Sequence, residues 1–161
     1  MRRVITATVR DATGVMNRFT GVISRRQYNV SSISVGRMIE PEVSRITIVV
    51  EIETEEEAQQ VIKQLYKQID VLKVKDITDC PHLERELALI KVAAPLSVRP
   101  EINAILEPFR GQIIDVGTDS VVVQVTGTSE KVEGFIDLIS PYGILQIART
   151  GVTGFTRSPK T

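Results

Sequence analysis

Residues 44–77 read SRITIVVEIETEEEAQQVIKQLYKQIDVLKVKDI, and the fold turns on how this stretch is read. Its first part alternates. Ile46, Ile48, Val50 and Ile52 share one face, and Arg45, Thr47 and Glu51 share the other, as in a half-buried strand. Thr54 followed by Glu57 is a capping-box pattern, so a helix begins there. Ala58, Val61, Ile62, Leu65, Tyr66 and Ile69 recur at helical spacing and form an apolar stripe. Val71 to Ile77 then returns to a strand.

Upstream, Val4 to Val9 is a short β-rich run. Gly14 opens a segment with Val15, Met16, Phe19, Val22 and Ile23 at helical spacing. Ile33 and Val35 alternate with polar neighbours, as a half-buried strand does, before a turn at EPEVS. The order to residue 77 is βαββαβ. TDCPHLERE, residues 78–86, breaks the pattern with Pro81 and charges and reads as a linker. Then the order repeats. Leu87 to Val92 is a strand, and Pro100 suits the first turn of a helix carrying Ile102, Ile105, Leu106 and Phe109, which Pro108 ends or kinks. Ile113 to Val116 and Val121 to Val125 flank Gly-Thr-Asp-Ser, a hairpin signal. Thr128 or Ser129 caps a helix with Val132, Phe135, Ile136 and Ile139, and Ile144 to Arg149 is the last strand.

Two such units make an α+β protein of two ferredoxin-like domains, residues 1–78 and 79–161. Each has two helices on one face of a four-stranded antiparallel sheet. Units this small bury a limited core and expose edge strands, so sheets are expected to pair between subunits as a homodimer.

Composition narrows the function. Hydrophobic residues make up 42% and charged residues 25% of 161, the range of a soluble globular protein. Twenty basic residues balance twenty acidic ones, so no global field draws the chain to nucleic acid or to a membrane surface. One cysteine, Cys80, forms no internal disulfide. MRRVITATVR lacks the apolar core of a signal peptide, and the expectation is a cytoplasmic protein. The single histidine, His82, stands beside Cys80 without a third or fourth ligand nearby, so no closed zinc site is expected. No GxxxxGK[ST] occurs, Gly151 and Gly154 read as strand-end turns, and no carboxylate pair is placed for acid–base work. No cofactor or metal site is expected in this chain. The βαββαβ order also occurs in RNA-binding modules, but RITIVVEI and VITATV carry no aromatic residue on which to stack bases.

Small-ligand binding is the remaining class. Gly14 stands where a helix starts and offers unpaired N–H groups to an anion, with no Cβ to hold a ligand off. Asn29 supplies a donor and an acceptor, which suits the charged end of an amino acid. From these two residues alone, a ligand frame and a pair of ordinary turns both stay open.

Seven stretches carry a resemblance over essentially the whole length. They are GVMNRFTGVISRRQYNVSSISV, SRITIVV, KQLYKQIDVLKV, HLERELALIKV, FRGQIIDV, TGTSEKVEGF and ARTGVTGFTR, in matching order and spacing. The chain resembles the small regulatory subunits of acetohydroxyacid (acetolactate) synthase, whose first half is an ACT domain. The resemblance implies a subunit that is not catalytic by itself. It implies a partner, the large subunit, carrying thiamine diphosphate, Mg²⁺ and FAD, which this chain activates and makes sensitive to valine within branched-chain amino acid synthesis. Isoleucine or leucine could compete at the same site. It implies an effector site between two ACT domains, with Asp11 and Gly14 on one side and Asn29 and Val30 on the other. Val15, Met16 and Val30 are expected at the effector's side-chain end. Two adjacent positions depart from the pattern: Asp11 stands where well-known valine-sensitive members carry asparagine, and Arg10 where they carry an acidic residue. Asp11 accepts from an ammonium group but, unlike an amide, does not donate to a carboxylate. A free-standing ACT-type amino-acid sensor is the alternative. It would share the site but leave the matching second half unexplained.

Overall fold

The computed structural model describes residues 1–159. The chain divides into two compact units. One is built from Met1–Leu83 with the C-terminal segment from Gly151, and the other from Glu84–Thr150. The segment from Gly151, placed in the second domain by the sequence reading, thus packs in the first unit.

In the first unit, β1 (Arg2–Arg10), α1 (Val15–Arg25), β2 (Asn29–Arg37), β3 (Val43–Glu51), α2 (Glu55–Tyr66) and β4 (Val71–Asp76) follow the expected order. The antiparallel sheet runs β2-β3-β1-β4. Both helices lie on one face and bury Phe19, Val22, Ile23, Ala58, Val61 and Leu65 against Ile5, Ala7, Val9, Ile46, Ile48 and Val50. The helix α2 begins where Thr54 Oγ1 accepts from the Glu57 N–H at 3.2 Å. The Glu57 carboxylate reaches back to accept from the Glu53 N–H at 2.8 Å. Three acidic residues in this first turn complement the helix dipole. The apolar stripe ends at Leu65, short of the expected Tyr66 and Ile69. The Gln68 N–H donates to the Leu65 carbonyl, the chain turns, and Ile69 is left 87% exposed.

The opposite face of this sheet is not simply polar. Val4, Val49, Ile77 and Val152 form a second, small buried cluster. Val152 arrives on a segment that the sequence pattern did not disclose, leading into a ninth strand, β9 (Thr153–Thr156). The Val152 N–H donates to Ser32 Oγ on β2 at 2.6 Å, and the Arg157 N–H to the Pro81 carbonyl at 2.8 Å. Gly151 explains why the segment lies so close. A Cβ built on it would fall 2.2 Å from the Ile33 carbonyl oxygen, a backbone atom with no room to yield. This glycine serves close approach rather than a turn.

In the second unit, β5 (His82–Ala93) begins within the stretch expected to be a linker, and regular alternation of burial starts only at Glu86. It is followed by α3 (Arg99–Leu106), β6 (Gln112–Val116), β7 (Ser120–Gly127), α4 (Ser129–Ile139), a 3₁₀ turn at Ser140–Tyr142 and β8 (Ile144–Arg149). The strand order is β6-β7-β5-β8. Thr128 caps α4 by accepting from the Lys131 N–H. The core joins Ile90, Val92, Ile102, Leu106, Val123, Phe135 and Ile139, and Phe109 meets the Phe135 ring edge-on at 5.3 Å. Glu86 is buried on β5. Arg149 bonds it at 2.5 Å and Glu133 at 2.5 Å, while Ser129 Oγ lies 3.3 Å from the other Glu86 oxygen. Burial opposes the charge on Arg149, but the bonds to Glu133 and Glu86 outweigh it and raise the guanidinium pKa. No helix among the described residues is long and apolar enough to cross a membrane.

Two outcomes test this packing. Gly151→Ala should undock the segment, and the Val152 amide should lose its protection in hydrogen exchange while amides of β1 and β3 keep theirs. Arg149→Met should cost about 2 kcal/mol in urea unfolding by stranding the Glu86 carboxylate, and adding Glu86→Leu should restore most of that loss.

Candidate functional site

The residues expected to frame a ligand lie at opposite ends of one edge strand. On β2, Arg37 pairs with Ser44 and Asn29 pairs with Glu51, so the ends of the strand face the two ends of β3. The strand has nine residues, which at ~3.4 Å each span about 27 Å. Asp11 follows the end of β1, which pairs Arg10 with Val43, and so sits at the Arg37 end. Asn29 and Val30 sit at the other.

The Asp11 end has the more developed chemistry. The Asp11 N–H donates to the Glu42 carbonyl at 2.8 Å, which fixes the chain as it leaves β1. Ser44 Oγ donates to Asp11 Oδ1 at 2.7 Å, and Arg37 Nε lies 3.7 Å from Asp11 Oδ2. Two cavities of about 460 Å³ each meet at Asp11. One is floored by Ala12, Val35, Gly36, Arg37 and Ser44. The other is walled by Arg37, Ile39, Pro41 and Val43. Ile39 is fully exposed, an apolar side chain unsupported by its own chain.

Gly14 sits at the start of α1 with φ +80°, the left-handed region, where it caps the helix without a side-chain bond. The Ala12 carbonyl accepts from the Val15 N–H at 3.1 Å, closing the turn. The N–H groups of Gly14, Met16 and Asn17 take no acceptor among the described residues. They are the bare donors an anion would meet at this helix start. Arg18 adds a cation close by: its guanidinium pairs with Asp70, and Nη1 lies 3.1 Å from where a Gly14 Cβ would stand. Of the apolar residues expected here, Val15 points into the helix–sheet core and Met16 packs partly against it.

At the other end, Asn29 is exposed and opens β2, and Val30 is 37% exposed. The register slips between Val30 and Ser32, leaving Ser31 as a bulge whose hydroxyl lies 3.3 Å from the Val49 carbonyl. The bulge turns the start of the strand, as bulges near binding sites do. Ser44, Arg37 and Arg18 escaped the sequence reading. Ser44 carried a faint signal as a polar residue at the head of an apolar strand, but only the strand register puts it against Asp11.

Among the described residues, no group of three or more His, Cys, Asp or Glu is arranged to hold a metal ion. His82 Nδ1 lies 2.7 Å from the Cys80 carbonyl oxygen, a local backbone contact.

Comparison with known proteins accounts for both units. Residues 5–73 match the family described as the AHAS small subunit-like ACT domain, and residues 85–158 match the small subunit of acetolactate synthase. The acetolactate synthase small subunit of Bacillus subtilis is 56% identical over 157 residues, covering 98% of this chain and 91% of that protein. That of Lactococcus lactis is 50% identical over 157 residues, covering 98% and 99%. The crystal structure of the small subunit from Thermotoga maritima superposes with a TM-score of 0.91 at 36% identity, covering 99% of each chain. An N-terminal ACT unit, a second ferredoxin-like unit and identity sustained along nearly the whole length place this chain in the family of acetolactate synthase small subunits, the regulatory subunits of that enzyme.

Proposed function

We propose that this chain activates a large catalytic subunit of acetolactate synthase and makes it sensitive to valine held between two ACT units. The thiamine diphosphate, Mg²⁺ and FAD belong to the large subunit in this reading, and this chain contributes binding and coupling. One observation carries the proposal: the two halves of the site sit at opposite ends of an edge strand, about 27 Å apart. Within one chain they never meet. Two copies pairing β2 antiparallel about a two-fold axis near Ile33 bring Asn29 of one beside Arg37 and Asp11 of the other, twice per dimer. Both ends then complete a pocket.

Edge strand chemistry supports the same pairing. Among the described residues β3 is the one strand paired with β2, so its outer backbone groups are open to another strand, and Ile33 and Val35 are 37% and 50% exposed beside it. In the assembled pocket the N–H groups at Gly14, Met16 and Asn17 hold the effector carboxylate, and Asn29 bridges carboxylate and amine. Asp11, held in place by Ser44, accepts from the ammonium group. Met16 and Val30 flank the side chain, with Val15 beneath them. Valine carries two more methylene equivalents than alanine, worth ~1.6 kcal/mol or roughly fifteen-fold in affinity. Leucine and isoleucine are limited by pocket depth alone. Feedback follows when the effector prefers a dimer arrangement that activates the large subunit less, a coupling of ~1–3 kcal/mol.

The purified chain alone should form no acetolactate, and adding the large subunit should produce activity above that of the large subunit by itself. Synthesis by the purified chain would overturn the reading. Asn29→Ala should abolish valine inhibition of the reconstituted enzyme while leaving activation intact; loss of activation as well would make Asn29 structural. Calorimetry should rank valine above alanine by roughly fifteen-fold, and equal binding would remove the pocket.

A further inference from the structure

We propose that the outer sheet face of the first unit carries a second site, for a phosphoryl group, as inorganic phosphate or as the phosphate end of a small metabolite. It is separate from the amino-acid site and does not depend on it. The strand register builds it. Thr8 on β1 pairs with Arg45 on one side and Lys73 on the other, and Thr6 pairs with Thr47 and Lys75. Residues two apart share a face, so these form two adjacent rows on the side of the sheet away from the helices. Strands lie roughly 4.8 Å apart, so Lys73 and Arg45 flank Thr8 across about 10 Å, within reach of side chains of that length.

Above the rows lies a cavity of about 110 Å³ lined by Thr6, Thr8, Arg45, Lys73, Lys75 and Phe155, with Thr156 and Ile77 completing its wall. No carboxylate lines it. Arg45, Lys73 and Lys75 enter no ion pair among the described residues, although the chain as a whole is neutral. Three unpaired cations around one small space repel one another, and an anion there would turn that repulsion into attraction. A further group is unsatisfied nearby. Thr47, beside Thr6 in the same row but not lining the cavity, is 1% exposed, and its hydroxyl has no hydrogen-bond partner among the described residues. Buried polar groups are rarely left so.

Charge and size select the ligand class. Three cations and the lining hydroxyls of Thr8 and Thr156, with that of Thr6 donating to the Lys75 carbonyl at 3.4 Å, call for an acceptor-rich anion of high charge. A phosphate monoester brings about −1.5 to −2 and three strong acceptor oxygens, whereas an amino acid is a zwitterion. At ~30 Å³ per liquid water, the cavity holds roughly three or four waters, enough for a tetrahedral oxyanion but not for a nucleoside. The remainder of a larger ligand would lie outside, beside the half-exposed Phe155 ring.

The test is a titration of the full-length ¹⁵N-labelled chain with inorganic phosphate, with ionic strength held constant by chloride so that screening does not change. Saturable shifts should map to the amides of Thr6, Thr8, Lys73, Lys75 and Phe155. The double variant Lys73→Gln/Lys75→Gln should weaken binding at least about tenfold. The variant Arg25→Gln/Arg26→Gln removes equal charge elsewhere and should leave binding unchanged. Glycerol phosphate in parallel distinguishes the sources: tighter binding assigns the site to a metabolite, and equal binding to the free ion. Shifts that are absent, scattered or unsaturable in the unmodified chain would overturn the proposal, as would equal weakening by both double variants.

Discussion

The strand β2 has a neighbour on only one side, and much of the molecule is organised around that fact. Its inner backbone groups bond β3, and every second peptide along its outer edge is left for another strand or for water. Proteins usually blunt such an edge with charge or proline. Here the middle of the strand, VSSISV, is small and uncharged, apolar residues alternating with serine, and charge appears only at Arg37. An edge kept this clean is suited to a second copy of itself. The proposed effector pocket follows from it, since the helix start at Gly14 and the carboxamide at Asn29 belong to opposite ends of the same strand.

The outer face of the same sheet is divided between two environments. Its apolar row, Val4, Val49 and Ile77, is covered by Val152. The neighbouring rows, Thr6 with Lys75 and Thr8 with Lys73, stay polar and cationic. Covering the first row requires main chain to lie almost against main chain, which Gly151 permits and any larger residue would obstruct. The covering segment grips β2 through Ser32, one residue beyond the bulge and close to Val30. The strand proposed to pair with a second copy is therefore held from behind by the segment around Val152.

The second unit repeats the topology with different chemistry at its sheet. Its buried Glu86 is compensated by Arg149 and Ser129 rather than by solvent, and Arg149 spans two carboxylates from β5 and α4. Such a cluster contributes little net stability, but it penalises any packing that separates its members.

The amino-acid sequence by itself determined the two βαββαβ units, the cap at Thr54 and a second at Thr128 or Ser129, the helix stripes that fill each core, and the family. These are local signals: period two against period 3.6, a capping residue three positions before its partner, a proline at a helix start. It also singled out Gly14 and Asn29, because a glycine at a helix start and an exposed carboxamide carry their chemistry wherever they stand. What tertiary structure alone decided was which distant residues became neighbours. Ser44 reached Asp11 across 33 residues, Val152 reached Ser32 across 120, and Lys73 came to flank Thr8 from the far edge of the sheet. Periodicity assigns a residue to a face, but register and chain return decide what lies opposite it. Those depend on burial and hydrogen bonding summed over the whole unit, which no short stretch of sequence contains.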